Sequence, residues 1–236
     1  RMNSILTYKL RECARDLRTG TANGCTSSQI QQIKTDALNT IWKILCIHLG
    51  TPPNTFLWQW NDNDRKFHRD GVITPQQFAK KYVDLPFEDY VCLVHDPRPE
   101  NPVGKSYTVE CLGNVVGGAK VIYLNVAMDL MKKVTAQLLE EGTPVWFGCD
   151  VGKHMRRDMG IWDSNLFDYE ALYGCEFGLT KTDRLHYHQT KMTHAMMFTG
   201  VDMIDGQPRR WKVENSWGPN GGKKGFYVMN DSWFDE

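Results

Sequence analysis

The sequence predicts an α+β protein in which helices come first and antiparallel strands follow. In the first third of the chain, apolar residues recur every three or four positions, as they do in amphipathic helices. From about Asp89 onward, short apolar segments alternate with turn residues, which is typical of strands. Helices followed by strands is the order of an α+β fold. We therefore expect a mostly helical segment over residues 1–85 and an antiparallel β-rich half over residues 86–236.

Three helices are expected in the first segment. The first is closed by Gly20, and the second begins at Ser27 or Ser28 and stops at Gly50. The third has Thr74 as its N-cap, followed by a proline, and Gln77 completes a capping box. The stretch NDNDRKFHRDG between the second and third helices lacks the glycine and glutamate of a calcium loop, so we interpret it as a solvated loop.

The second segment is expected to be built mainly from strands. One helix, Val126 to Glu141, interrupts them and has an apolar face and a glycine stop. The predicted strands lie in YVCLVHDPRP, KVIYLN, PVWFGCDV, THAMMFTGVDM, RRWKVENS and GFYVMN.

Composition excludes several classes of function. Twenty-eight basic and 28 acidic residues give a net charge of zero, which does not indicate nucleic acid or an anionic membrane as a partner. No apolar run approaches the length of about 20 residues that a membrane helix needs. The seven cysteines are scattered, odd in number and without a C-x-x-C pair, which favours reduced thiols and a cytoplasmic location.

No cofactor or metal site is expected. His186 and His188 would lie on one side of a predicted strand and could form a zinc pair, but no third ligand follows from the sequence. Surface histidines are the favoured interpretation.

One histidine and one asparagine are the candidate catalytic residues. If MTHAMMFTG is a strand, His194 lies at its start, and in RRWKVENS the same period places Asn215 at the end. Antiparallel neighbours would bring the two side chains together. An amide oxygen that accepts the imidazole Nδ1–H would fix the ring and leave Nε2 to take a proton from a nucleophile. Trp217, two residues on, could cover that hydrogen bond and exclude water.

The segments MTHAMMFTGVDM and RWKVENSWGPNGGKKGFYVMND resemble the histidine and asparagine segments of papain-like cysteine peptidases. VWFGCDVGKHMRRDMGIWDSNLFDYE, CLVHDPRP and TVECLGNVVGGAK resemble the bleomycin hydrolase family, the aminopeptidase branch of that superfamily. The resemblance covers essentially the whole chain. It implies a papain-like fold with an antiparallel half-barrel, with His194 as general base and Asn215 as its orienting partner.

The resemblance also implies a cytosolic homohexamer with its active sites facing a central chamber. Its substrates would be peptides, from which N-terminal residues are removed, and related amides, including the drug bleomycin, which the family deamidates.

The sequence departs from that family at the nucleophile. No cysteine stands before an aromatic residue with a glutamine a few positions earlier, well N-terminal to His194. Cys149 is the best candidate for a nucleophile among the cysteines present, but its segment does not resemble the nucleophile segment of the family. We expect that the chain is cut from a longer polypeptide that carries the catalytic cysteine and that this segment alone is inactive. The alternative is a natural, non-catalytic truncation that serves as a structural or assembly subunit.

Overall fold

The chain divides after Phe87 into two units, Arg1–Phe87 and Glu88–Glu236. The structure, a computed structural model, describes residues 1–83, 85–110, 112–113 and 115–236. Cys111, one of the seven cysteines, lies outside the described residues.

Two long helices begin the first unit: α1 (Met2–Ala22) and α2 (Ser27–Leu49). Thr26 caps α2 in a capping box with Gln29. Gly20 does not close α1 as expected, because the helix continues past it. Instead Gly20 is buried, and a Cβ there would lie 3.2 Å from the Ile30 side chain. The glycine therefore allows α1 and α2 to approach each other closely.

A β-hairpin follows, although the sequence predicted a solvated loop over part of this region. It pairs β1 (Phe56–Asn61) with β2 (Phe67–Ile73) in antiparallel register, and a tight turn joins them. Trp58 and Trp60 occupy alternate, half-buried positions of β1. The prediction was wrong because the polar residues of the turn and of the exposed face hid this alternation.

Helix α3 (Pro75–Tyr82) packs on the hairpin. Trp58 meets Phe78 edge to face at 4.9 Å between ring centroids, and the Trp60 indole N–H donates to the Tyr82 hydroxyl at 3.3 Å. The predicted capping box of Thr74 and Gln77 is confirmed.

A 3₁₀ turn (Phe87–Asp89) starts at the last residue of the first unit. The second unit then forms a small sheet of β3 (Cys92–Val94), β4 (Ser106–Tyr107) and β5 (Tyr123–Asn125). Strand β5 lies in the centre, parallel to β3 and antiparallel to β4. At its end, the fully buried amide of Asn125 accepts from the Asp96 backbone N–H and donates to the carbonyls of Asp96 and Asn101. Helix α4 (Met128–Glu140) follows.

The main sheet has six strands in the order β6-β9-β10-β11-β8-β7. All neighbours are antiparallel except β11 and β8, which pair in parallel, so the sheet is mixed but mostly antiparallel, as the sequence predicted. The remaining elements are β6 (Val145–Cys149), β7 (Met155–Arg156), β8 (Ile161–Trp162), α5 (Tyr169–Tyr173), α6 (Lys181–His186), β9 (His194–Ile204), β10 (Gln207–Glu214), β11 (Phe226–Asn230) and α7 (Asp231–Asp235).

The core of this unit covers one face of the main sheet. Its fully buried side chains come mainly from β8, β10 and β11, and they are Trp162, Trp211, Val213, Tyr227 and Met229. Phe147 and Phe198 stack at 3.8 Å between centroids, which joins β6 and β9 on the same face. This alternation of buried and exposed residues fixes the register of each strand.

The histidines considered as a zinc pair are not on a strand. His186 ends α6 and its Nε2 lies 2.8 Å from Glu100 Oε1, while His188 lies in the turn that follows. Across the described ranges, no three His, Cys, Asp or Glu side chains are grouped as metal ligands. Nor does any described helix combine the length and apolarity needed to cross a membrane.

Candidate active site

The structure brings His194 and Asn215 together at one end of the main sheet. His194 begins β9, and Asn215 comes directly after the last residue of β10. The two strands are antiparallel, with Val213 opposite Phe198, so a strand start and a strand end lie side by side. The Nε2 atom of His194 is 2.9 Å from Asn215 Oδ1.

The nitrogen that meets the amide is Nε2, so the expectation of Nδ1 was wrong. The Ser216 backbone N–H donates to the same Asn215 oxygen at 2.8 Å, which identifies that atom as an acceptor. Nε2 must therefore donate a proton to it. In the neutral ring Nδ1 is then the unprotonated nitrogen, and it makes no hydrogen bond to the described residues. Strand spacing placed the side chain but could not specify its torsion angles.

Asn215 is held rigidly. Its side chain is buried, and its backbone N–H donates to the carbonyl of Gly225 at 3.1 Å. Its Nδ2 is buried without a hydrogen-bond partner among the described atoms. An unpaired buried amide is unfavourable by about 1–3 kcal/mol, and such local conflicts are expected where a residue is placed for chemistry.

Trp217 covers the imidazole. The two rings stack with centroids 4.9 Å apart and an angle of 28° between their planes. Tyr227, which is buried, meets Trp217 edge-on at 6.1 Å. The guanidinium carbon of Arg157 lies 4.9 Å from the centroid of the same indole ring. The indole thus has the position from which it can shield the bond between His194 and Asn215.

Cys149 lies directly opposite His194 in the pairing of β6 with β9, yet it is unsuited to be a nucleophile. Its thiol is packed against the core, and burial, helped by the negative charge of Asp150, raises its pKa to about 12. Because the thiolate is the reactive form, a thiol with this pKa is inert near neutral pH. No hydrogen bond between a described cysteine and His194 is present.

Sequence reasoning missed one part of this neighbourhood, the turn that carries Arg157. Strands β7 and β8 form a short hairpin around this turn, and it ends at Gly160. Gly160 is pressed against Gly222: a Cβ at Gly160 would lie 2.4 Å from the Gly222 Cα. Two-residue strands carry no periodicity, and a single arginine among other charged residues gives no signal.

A helical part, a mixed sheet and an imidazole–amide pair at the end of that sheet define the class: a papain-like α+β peptidase fold. The chain belongs to the Peptidase C1-like family, whose sequence model matches residues 1–236. The fold class and the family resemblance predicted from the sequence are thereby confirmed.

Individual relatives agree with this assignment. The chain is 43% identical to bleomycin hydrolase of Mus musculus over 242 residues and 42% identical to aminopeptidase C of Streptococcus thermophilus over 236 residues. Each match covers 100% of this chain and 53% of the relative. The crystal structure of PepW from Lactobacillus rhamnosis superposes with a TM-score of 0.93 at 43% identity, covering 99% of this chain and 52% of that one. The chain thus spans about half the length of the relatives it matches.

Proposed function

We propose that the chain supplies the base and its orienting partner in the active site of a cysteine-type aminopeptidase of the bleomycin hydrolase kind. The observation that carries the proposal is the pair of hydrogen bonds to Asn215 Oδ1, from His194 Nε2 and from the Ser216 backbone. Together they fix which imidazole nitrogen is available for proton transfer. The substrates would be peptides and related amides with a free amino terminus.

The reaction is thiol acyl transfer. Nδ1 of His194 takes the proton of a cysteine thiol, and the thiolate sulfur bonds to the carbonyl carbon of the scissile amide. The carbon–nitrogen bond then breaks, and the imidazolium gives its proton to the departing amine. Water next adds to the acyl carbon with His194 as base, the carbon–sulfur bond breaks, and the thiol is restored. Asn215 keeps the ring in one orientation throughout, and Trp217 keeps water from their hydrogen bond.

The nucleophile in this proposal belongs to polypeptide outside residues 1–236. The protonated, buried thiol of Cys149 supports this view. A second support is the exposed surface, which is 17711 Å². A folded monomer of 27.2 kDa exposes about 10,900 Å², and two separate domains of the sizes of the two units would expose about 13,000 Å². Further polypeptide would cover the excess, which includes the indole of Trp146, 70% exposed.

A first experiment tests the chain alone with an aminoacyl fluorogenic amide, from which we expect no turnover. Cys149→Ala is the decisive variant. If the chain alone turns over the amide and Cys149→Ala abolishes this activity, the proposal of a nucleophile outside residues 1–236 is wrong.

A second experiment adds the part of the enzyme that would carry the catalytic cysteine. The part of Streptococcus thermophilus aminopeptidase C that precedes the region matched by this chain is joined ahead of Arg1, and the fusion is assayed with the same amide. We expect turnover that His194→Ala lowers by about 10²–10⁴-fold, the usual contribution of a general base. His188→Ala is the matched control, because His188 lies in an exposed turn. An active fusion that tolerates His194→Ala contradicts the assignment of the base.

The non-catalytic alternative is favoured by one observation: the chain keeps the family fold while spanning about half of its relatives. In that role it would assemble with full-length subunits. A fusion that folds, shown by circular dichroism, but has no activity would favour this alternative.

We also propose that the complete protein is a cytoplasmic homohexamer, as the family resemblance implies. Light scattering coupled to size-exclusion chromatography should give six times the subunit mass. Fractionation of the source cells should place the protein with cytosolic markers.

A further inference from the structure

The guanidinium of Arg157 is the charged group placed over the indole that covers the candidate base. Its position follows from the two-residue pairing of β7 with β8 and from the contact of Gly160 with Gly222. The side chain is exposed. Neighbouring Arg156 is engaged by Asp158 at 2.9 Å, whereas Arg157 forms no ion pair with any described residue. Its donors are therefore available to another anion.

Arg157 and His194 both lie against Trp217, which limits the distance between them. The indole centroid is 4.9 Å from the imidazole centroid and 4.9 Å from the guanidinium carbon. The guanidinium carbon is thus no more than about 10 Å from the His194 ring.

The leaving group starts next to His194. In the proposed mechanism the departing amine receives its proton from His194 across a hydrogen bond of about 3 Å. When one residue leaves, its carboxylate is two bonds from that amine, and a second residue adds about 3.5 Å. A charge-assisted hydrogen bond of about 2.8 Å then reaches a guanidinium nitrogen. These lengths span the gap for a leaving group of one or two residues.

From this geometry we propose that Arg157 binds the free carboxylate of a short leaving group, so that the enzyme favours dipeptides and tripeptides over blocked or long peptides. This inference rests on the proposed function and adds to it a class of substrate. The carboxylate is bound by a planar guanidinium beside an aromatic ring, an arrangement that suits carboxylates. A carboxamide in the same place offers no charge.

The first test uses the chain as it is and needs no catalysis. The indole N–H signal of Trp217, assigned by its loss in Trp217→Phe, is followed by NMR while alanine or alaninamide is added. Alanine carries the leaving carboxylate and alaninamide does not. We expect a saturable shift with alanine that exceeds the shift with alaninamide, and its loss in Arg157→Gln. Arg156→Gln is the matched control and should retain the shift. Equal shifts with both compounds, or a shift that persists in Arg157→Gln, overturn the inference.

The second test measures specificity in the active fusion described above. The ratio of kcat/KM for alanyl-alanine to kcat/KM for alanyl-alaninamide should fall about 3–10-fold in Arg157→Gln and further in Arg157→Glu. It should also fall between about 0.05 and 0.5 M salt, because an exposed ion pair is screened. A variant that slows both substrates equally shows that Arg157 only supports Trp217, which overturns the inference.

The two proposals can fail separately. The aminoacyl fluorogenic amide has no carboxylate, so a folded fusion without turnover of this amide refutes the proposed function, and the specificity inference falls with it. An active fusion whose substrate ratio does not change in Arg157→Gln refutes the specificity inference alone.

Discussion

Replacing Gly160 by alanine should destabilise the second unit by more than the cost of placing alanine in a left-handed backbone conformation. Gly160 has φ +70°, a left-handed conformation that is unfavourable for alanine by about 1–2 kcal/mol. The added Cβ would also lie 2.4 Å from the Gly222 Cα, and overpacking of this kind adds about 1–3 kcal/mol. The turn cannot simply retreat, because the Gly160 carbonyl accepts from the Val228 N–H at 2.8 Å. We expect a loss of about 2–5 kcal/mol in the free energy of unfolding.

The matched control is Gly174→Ala. Gly174 has φ +66°, but no heavy atom lies within 4 Å of the Cβ position, so alanine there should lose only the conformational part, about 1–2 kcal/mol. Urea denaturation followed by circular dichroism gives both values. Equal losses for the two variants would refute the claim that the contact with Gly222 holds the turn in place.

Three further predictions concern charge and reactivity. At pH 8 iodoacetamide should label exposed Cys92 well before Cys149, because with a pKa of about 12 only about one Cys149 thiol in 10⁴ is ionised; peptide mass spectrometry measures the order. Arg98 lowers the Asp96 pKa from 3.8 to about 2, so the free energy of unfolding should fall as the pH drops from about 4 to 2, and Asp96→Asn should reduce this fall in acid titrations. Lys132→Met removes a half-buried ammonium 2.6 Å from Asp231 and should lower the urea midpoint, with a loss of about 1–3 kcal/mol.

Local signals in the sequence were sufficient to predict the structure where a residue's neighbours along the chain decide its conformation. The Thr74 capping box is one case, because both of its partners lie within one helical turn. The burial of Met196 and Phe198, with less buried Ala195 and Met197 at the positions between, is another, because the sheet face repeats every two residues. The prediction for the segment of the β1–β2 hairpin was wrong, because the polar residues of its turn concealed the alternation of β1 and β2.

The sequence by itself determined the class of fold, its family and the pairing of His194 with Asn215, because strand period and order along the chain bring a strand start beside a strand end. Only the tertiary structure decided which imidazole nitrogen faces Asn215 Oδ1, since the Ser216 N–H and the Trp217 ring fix that geometry. It alone showed that burial makes Cys149 inert, and that the turn between β7 and β8 brings Arg157 to Trp217. Burial, side-chain torsion and contact between distant segments arise from packing in three dimensions, and sequence spacing does not encode them directly.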